Sequence, residues 1–231
     1  MKLKIKKVSL IILFILSLSV VRAQKFDLGL KAGICLPSFS LANNIISNPT
    51  LNVYGMYNVS WGINAVVKLK SDDNWEIWLE PGYVKKGGMI KYLYHNPTVS
   101  IPIDTYRGAL YSDVELPVIV NFHLRKKFDA CVGLGFGYTV SSEHQKTIII
   151  NGPGRNLLPD LDGKLNSSII SGLNYNLNKY YALALRYTIG LTKVTTKDLV
   201  AESHYQFAYT AVQTSIYSNS LQLSLLYSFN L

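Results

Sequence analysis

The sequence predicts an all-β protein, an eight-stranded antiparallel transmembrane β-barrel with up-and-down topology. In eight segments apolar residues alternate with more polar ones, and a period of two is the pattern of a strand with one apolar face. The connections between these segments are alternately short and long. A segment with the features of an export signal precedes them. Together these observations predict a barrel of the bacterial outer membrane.

Residues 1–23 are predicted to be a secretory signal peptide. Four lysines in the first seven residues precede an apolar run, and Val21-Arg22-Ala23 places small residues at the −3 and −1 positions of a cleavage site. An uncleaved anchor is the alternative, but Val8–Val21 is about 14 residues long and a spanning helix needs roughly 20. We expect cleavage after Ala23. Residues 24–231 then form one outer-membrane β-barrel domain.

Charge and composition exclude some partners. The chain has 23 basic and 14 acidic residues, net +9, but five of the basic ones lie in 1–23, so the mature chain has 18 against 14, or +4. With Arg125-Lys126-Lys127 as its one basic cluster, it is predicted not to bind nucleic acid. Hydrophobic residues make up 48% and there are 16 tyrosines. Spread over alternate positions, these residues fit strands that face lipid.

The first four predicted strands are 26–36, 59–69, 75–83 and 113–124. Even-numbered positions face outward in the first and fourth strands, and odd-numbered positions in the second and third. Trp61, Trp75 and Tyr83 are among the outward aromatic residues. Two prolines, Pro81 and Pro117, lie within these strands. A proline removes a donor from the ladder and a closed barrel has no edge strand, so we expect a β-bulge at each.

The last four predicted strands are 130–140, 165–177, 181–191 and 220–231. The first of them has Gly133, Gly135 and Gly137 on its inward face. No helix follows, so this is not a nucleotide-binding loop, and we expect the glycines to leave room for bulky charged side chains opposite. The segment 165–177 has the weakest alternation, with inward positions at Asn166, Ser168, Gly172, Asn174 and Asn176. The final strand alternates best, with outward positions from Leu221 to Leu231 and inward ones from Gln222 to Asn230.

The connections fix the predicted orientation. Short turns are expected at 70–74, 125–128 and 178–179, and long loops at 37–58, 87–111, 142–164 and 192–219. Short periplasmic turns and long external loops are typical of outer-membrane barrels. A soluble sandwich or a lipocalin-like barrel would also alternate, but its apolar face would form the core. Here an apolar face of about 10 residues on nearly every strand favours the membrane barrel.

The inward face carries charges of both signs. An eight-stranded barrel is just wide enough for side chains to fill it. We expect five acids and three bases in the lumen: Asp27, Glu76, Glu80, Asp113, Glu115, Lys31, Lys68 and Arg186. Because unpaired buried charges are costly, the sequence predicts a salt-bridged plug in which Arg186 pairs with Glu115. A paired-carboxylate or cation site at Glu76, Glu80 and Glu115 is the alternative.

The segment Tyr111-Ser-Asp-Val-Glu115-Leu-Pro117 resembles the Tyr-x-x-[Ile/Val]-Glu-[Ile/Leu]-Pro signature of the outer-membrane β-barrel domain family that includes PorT-like proteins. The opening Phe-Asp-Leu-Gly-Leu-Lys-Ala-Gly, the Gly-Leu-Gly-Phe-Gly-Tyr segment and Leu-Arg-Tyr are similar as well. The resemblance spans the mature chain and implies the barrel fold, with Tyr111, Glu115 and Pro117 as the family motif. One branch of that family belongs to the type IX secretion and gliding machinery.

No chemistry-bearing motif is evident in the sequence. The four histidines lack metal-ligand spacing, and His123 with a serine is conceivable in a lipid hydrolase, although no nucleophile motif or orienting acid is evident. Cys35 and Cys131 both face inward but lie on strands half-way around the barrel, so we expect no disulfide.

We therefore expect a non-enzymatic structural or binding protein, or a secretion accessory, with no cofactor, no catalytic residue and no metal site. Its partners are outer-membrane lipids, and also a protein at the external loops or in a secretion complex. A lipid-modifying enzyme and a small-solute channel are the alternatives.

Overall fold

A computed structural model of the chain describes residues 26–46, 51–72, 74–94, 103–149, 164–193, 199–202 and 209–229. The predicted signal peptide lies outside the described residues. The described part contains eleven strands: β1 (Phe26–Ile46), β2 (Leu51–Met56), β3 (Ser60–Asp72), β4 (Trp75–Leu79), β5 (Gly82–Tyr94), β6 (Ile103–Arg125), β7 (Phe128–Ile149), β8 (Leu165–Asn176), β9 (Tyr181–Gly190), β10 (Leu199–Glu202) and β11 (Tyr209–Phe229).

The strands close into a ring of eight. The hydrogen-bonded order runs β1-β11-β9-β8-β7-β6-β4-β3, and β1 pairs with β3 to complete the circle. All the pairings in the ring are antiparallel. The strands β4 and β5 occupy one position in it, because Leu79 faces Val118 and Gly82 faces Glu115 in one unbroken register. The predicted eight-stranded antiparallel barrel is therefore confirmed.

The two strand prolines do not form bulges, so that prediction is wrong. On the β7 side, β6 keeps its register through Pro117, which lies opposite Gly135. On the other side Glu80 takes the position opposite Pro117, and the Glu80 N–H donates to the Pro117 carbonyl over 3.0 Å. The Pro81 carbonyl likewise accepts from the Ala65 N–H over 2.8 Å. Each proline thus leaves out one ladder bond without shifting the pairing.

The strands extend well into the segments predicted as long loops. β5 and β6 pair continuously from Gly82 opposite Glu115 to Tyr94 opposite Ile103, although 87–111 was expected to be a loop. In the same way β1 reaches Ile46, β7 reaches Ile149 and β11 begins at Tyr209. The short strands β2 and β10 add to β5 and β11. These extensions carry polar residues and glycines at successive positions, so they form ladders without the alternation that marks a half-buried strand.

The outward face of the barrel is an exposed apolar belt. On β11 Leu223 is 56% exposed while the next residue, Ser224, is 2% exposed. The outward positions of β1 run from Phe26 to Leu36, and about 10 tilted strand residues span about 25 Å, the height of the apolar band of outer-membrane barrels. Within the described ranges, no helix is long and apolar enough to cross a membrane.

Aromatic contacts border this belt. At the end opposite the short turns, which is predicted to be the outer end and is called so below, the rings of Trp61 and Tyr83 lie 5.6 Å apart. Near the short turns Tyr227 contacts Tyr181 at 5.1 Å and Phe229 at 5.0 Å between ring centroids. Aromatic girdles at both interfaces are a feature of barrels in lipid, because an aromatic ring with a polar edge suits the headgroup level.

Candidate functional site

A charged cluster fills the middle of the barrel. Glu80 forms ion pairs with two cations, through Oε2 with the Lys31 ammonium and through Oε1 with Arg186 Nη2 at 3.5 Å. Each of the three side chains is at most 3% exposed. A buried carboxylate beside two buried cations is stable only because each charge has a partner of opposite sign. The predicted pairing of Arg186 with Glu115 is wrong, since Glu80 takes that place.

Two asparagines extend the cluster across the lumen. Arg186 Nη1 donates to Asn174 Oδ1 over 2.7 Å, and Asn174 Nδ2 donates to Asn121 Oδ1 over 2.7 Å. The Arg186 guanidinium also lies 5.9 Å from the centre of the Trp78 ring, a distance at which cation–π attraction contributes. The chain of contacts therefore links inward positions of β9, β8, β6 and β4.

An apolar layer accompanies the charges. Seven buried residues with inward positions form one cluster: Val66, Trp78, Ile119, Cys131, Ile170, Ala182 and Leu226. The sequence predicted a polar lumen, whereas the structure shows a mixed one. Trp78 joins the two parts, because it packs in the apolar layer while Lys68 Nζ lies 4.6 Å from its ring centre. Lys68 also donates to the Ser228 hydroxyl over 2.9 Å.

Asn64 compensates for the missing donor of Pro117. The Glu80 carbonyl cannot receive the usual reciprocal ladder bond, because Pro117 has no N–H. Asn64 Nδ2 donates to that carbonyl instead, over 3.1 Å. Glu80 is 1% exposed, so without this bond its buried carbonyl would be left unsatisfied, which is costly. The arrangement fixes the backbone at the residue that holds Lys31 and Arg186.

A second charged cluster lies nearer the outer end. Lys86 Nζ contacts Glu115 Oε2 at 2.6 Å and Asp113 Oδ2 at 3.5 Å. Asp113 is fully buried and accepts hydrogen bonds from Thr139 and Asn166, over 2.8 and 2.9 Å. Glycine at position 137 makes room for this contact, because a Cβ there would collide with the Asn166 side chain. The lumen glycines were expected to make room for charged side chains, whereas the side chains nearest to Gly133, Gly135 and Gly137 are those of Ile119, Ser168 and Asn166, which carry no charge.

The remaining candidate residues are not gathered into one site. Tyr111 is buried opposite Lys86, and Glu76 is buried opposite Asn121; Asp27 is partly buried on β1. Glu80 and Glu115 belong to different cation clusters, so the alternative of a three-carboxylate cation site at Glu76, Glu80 and Glu115 is not formed. The described residues contain no group of three or more histidine, cysteine, aspartate or glutamate side chains placed to hold a metal ion.

Several members of these clusters were missed in the sequence. Lys86 was overlooked because the third strand was ended at Tyr83, although continuing its alternation from Glu76 and Glu80 places Lys86 inward. Asp129, which belongs to neither cluster and lies beside His123, was missed for the same reason, because the fifth predicted strand was begun at Ala130. Asn121, Asn174 and Asn166 were placed inward correctly, but an uncharged side chain gives no sign that it joins an ion-pair network.

His123 has an acidic partner that the sequence did not reveal. Its Nδ1 lies 2.8 Å from Asp129 Oδ1, across the short turn between β6 and β7. Asn176 Nδ2 donates to the other Asp129 oxygen over 2.9 Å. The pair is a base with an orienting acid. Within the part of the chain that the structure describes, no serine or threonine hydroxyl is hydrogen-bonded to this imidazole.

The two cysteines are both buried and free. Cys35 faces Ser60 and Gln222, whereas Cys131 faces Asn121 and Gly172. The expectation that they form no disulfide is confirmed.

Comparison with solved structures identifies the class of the fold. The outer-membrane protein OprG from Pseudomonas aeruginosa has a TM-score of 0.50 at 11% identity, with 90% of this chain and 98% of that chain covered. Neisserial surface protein A has a TM-score of 0.46 at 9% identity, covering 87% and 97%. The outer-membrane protease OmpT from Escherichia coli has a TM-score of 0.43 at 9% identity, covering 90% and 100%.

The closed ring of eight antiparallel strands, together with the match to OprG, shows that the chain has the fold of bacterial outer-membrane β-barrel proteins. No protein-family model matches it, and no curated protein matches it in sequence. At these identities the similarity concerns the fold, and a fold does not define an activity.

Proposed function

We propose that this protein is an integral outer-membrane barrel with a closed lumen and a non-enzymatic structural or binding role at its outer face. The observation that carries the proposal is the Lys31–Glu80–Arg186 cluster beside the apolar layer of Trp78 and Leu226. All five residues are at most 2% exposed. A lumen occupied in this way has no room for a hydrated solute, as is usual for eight strands.

The membrane location has two supports. The outward belt of exposed leucine, valine and aromatic side chains would be unfavourable in water, because exposed apolar patches of this extent mark contact with lipid or protein. The export signal predicted at residues 1–23 agrees with it. Fractionation of cells together with N-terminal sequencing tests both points. We expect outer-membrane recovery and a first residue of Gln24; recovery in the soluble periplasm would contradict the proposal.

Conductance tests the closed lumen. The purified mature protein, refolded and inserted into a planar bilayer, should pass no steady current. In the same experiment the control Ser224→Ala, which changes a lumen side chain outside the ion-paired cluster, should also pass no steady current. A steady unit current through the wild-type protein would replace this proposal with a small-solute channel.

A hydrolase is the second alternative, and the His123–Asp129 pair is the feature that would serve it. Incubation of the protein with phospholipid vesicles should release no fatty acid. Release that is lost in His123→Ala would overturn the non-enzymatic role.

The segment Tyr111–Pro117 supports a further assignment to the PorT-like family, of which one branch belongs to the type IX secretion machinery, so a secretion-accessory role is the variant of the proposal to test. Glu115 and Tyr111 of that segment lie in the outer cluster with Lys86. Deletion of the coding sequence should then leave secreted cargo inside the cell envelope, and complementation should restore secretion. Normal secretion in the deletion strain would leave the structural or binding role without a secretion function.

A further inference from the structure

A basic turn borders the apolar belt at the end of the barrel that carries the short turns. Arg125, Lys126 and Lys127 connect β6 to β7 there, and all three are exposed. Within the part of the chain that the structure describes, none of them forms an ion pair with an acid. We propose that this basic turn binds the phosphate groups of anionic phospholipids in the leaflet on the short-turn side.

The hairpin itself does not call for basic residues at this turn. Arg125 lies opposite Phe128 in the ladder, so Lys126 and Lys127 make a two-residue loop. Such loops favour glycine, asparagine and aspartate, because these residues readily adopt the backbone conformations that the loop uses. Lysine has no such advantage, and two adjacent ammonium groups repel each other. A ligand of opposite charge accounts for both lysines.

The position of the basic turn relative to the belt matches a lipid headgroup. Leu124 precedes the turn and Phe128 follows it, and these side chains are 61% and 46% exposed. The Phe128 ring also contacts the Tyr175 ring, with 4.8 Å between centroids, as in the aromatic girdle at a membrane interface. Cations that directly follow lipid-facing residues reach the headgroup layer, because their aliphatic parts can contact acyl chains while the charges stay in water.

The backbone of the basic turn is held by the neighbouring turns. The Asn176 N–H donates to the Lys127 carbonyl over 2.8 Å, and the His123 N–H donates to the Asn74 carbonyl over 2.9 Å. The cations are therefore carried on a backbone that is fixed on both sides. A lipid does not have to order this turn when it binds, which removes part of the entropic cost of binding.

Positive charge predominates at this end of the barrel. The three short turns carry five basic residues and two acidic ones, Asp72 and Asp73, whose side chains lie outside the described positions. Asp129, the acid closest to the basic turn along the chain, is 3% exposed, and each of its two carboxylate oxygens already has a hydrogen-bond partner. Lys179, in the adjoining turn between β8 and β9, is exposed and adds a fourth cation.

An anionic phospholipid combines the two properties of this surface. Its acyl chains suit Leu124 and Phe128, and its phosphate suits the cations between them. A soluble anion would use the charges alone, and a zwitterionic lipid brings a cation of its own, which the turn repels. Each basic residue close to an anionic membrane surface strengthens association by about fivefold. This inference rests on the proposed membrane location and adds a lipid class to it.

Fluorescence quenching by brominated lipids tests the proposal, because tryptophans at the two ends of the belt serve as reporters. In Trp61→Phe the remaining belt tryptophan is Trp75, which lies opposite Phe122 near the short turns. In Trp75→Phe it is Trp61, at the outer end. Trp78 is 1% exposed in the lumen and gives the same background in both forms. The mature protein is refolded into vesicles of equal parts phosphatidylglycerol and phosphatidylcholine, with bromine on one lipid or the other.

We expect Trp75 to report a preference for phosphatidylglycerol of about fivefold or more at low salt, and high salt to weaken it because exposed charges are screened. Trp61 should report little preference. Combining Arg125→Gln, Lys126→Gln and Lys127→Gln should remove the preference at Trp75, whereas Lys126→Arg with Lys127→Arg, which keeps the charge, should retain it. An equal preference at both reporters would mean general attraction to a basic barrel, and would overturn the basic turn as the site.

The remaining outcomes separate this inference from the proposed function. If neither brominated lipid quenches Trp61 or Trp75, the barrel is not in the bilayer and the membrane location itself is overturned. If both lipids quench Trp75 equally, the lipid assignment alone is overturned. If, in that case, isolated peptidoglycan retains the wild-type protein but not the triple glutamine variant, the basic turn binds an acidic wall polymer instead.

Discussion

Glu80 is the one acid in the central cluster that serves two cations, so its replacement should be the most damaging change in the lumen. In Glu80→Gln the side chain keeps nearly its shape, but Lys31 and Arg186 both lose their negative partner. Both cations are at most 3% exposed. They therefore cannot recover the lost interaction from water.

The expected cost in unfolding free energy follows from the number of cations that lose their partner, because one acid serves two cations. Leaving a buried charge unpaired costs about 3–5 kcal/mol, and Glu80→Gln should fall in the upper part of that range because two charges are affected. Arg186→Ala should cost less, about 2–4 kcal/mol, because Glu80 keeps Lys31 while Asn174 loses its 2.7 Å hydrogen bond. Arg186→Lys keeps the charge but loses the fork by which the guanidinium reaches Asn174 with one nitrogen and Glu80 with another, for about 1–2 kcal/mol.

Urea unfolding in lipid vesicles, followed by tryptophan fluorescence, measures these differences. Ser224→Ala is the control, because Ser224 is 2% exposed and its hydroxyl has no hydrogen-bond partner among the described residues; its midpoint should change little. The reasoning fails if Arg186→Ala is more destabilising than Glu80→Gln, or if Glu80→Gln leaves the midpoint where it was.

Three further results are expected. Leu223→Arg, on the exposed belt, should cost about 2–4 kcal/mol in the same unfolding assay if it lies near mid-membrane, whereas Ser224→Ala should cost far less; equal costs would mean that the strand faces are reversed. Asn64→Ala should cost about 1–3 kcal/mol, and less in a Pro117→Ala background, where a backbone N–H can replace the amide; a double-mutant cycle with no coupling would contradict the compensation. A protease added to whole cells should cut between Tyr94 and Ile103 but not at the turn 125–128, and the opposite pattern would invert the orientation.

The sequence predicted the barrel because alternation is strong wherever one face of a strand meets lipid. The segment 165–177 was the weakest prediction and is matched by β8 almost residue for residue. Strand ends were misplaced at Lys85-Lys86-Gly87-Gly88 and at Ser141–Ile149, because there the alternation disappears while the ladder continues. Pattern reading detects burial against a face and not hydrogen bonding itself.

The partners within the lumen could not be derived from the pattern. Alternation gives the inward direction of Arg186 and Glu80, but their relative heights depend on strand tilt and stagger, which are properties of the closed ring. The partner of Pro117 could not be derived from the sequence pattern either. Its missing N–H is evident in the sequence, but the Asn64 amide that replaces it belongs to a strand more than fifty residues away.

The long strands have a consequence for reach. Among the β6 side chains that the structure describes, the exposed apolar positions begin at Val114, while the strand starts at Ile103. About ten tilted residues between them correspond to about 25 Å of rise. Because β5, β6 and β7 are hydrogen-bonded together over this height, they form a rigid three-stranded extension of the barrel wall. A protein that binds the end of this extension would be held away from the membrane surface by nearly the width of a small domain.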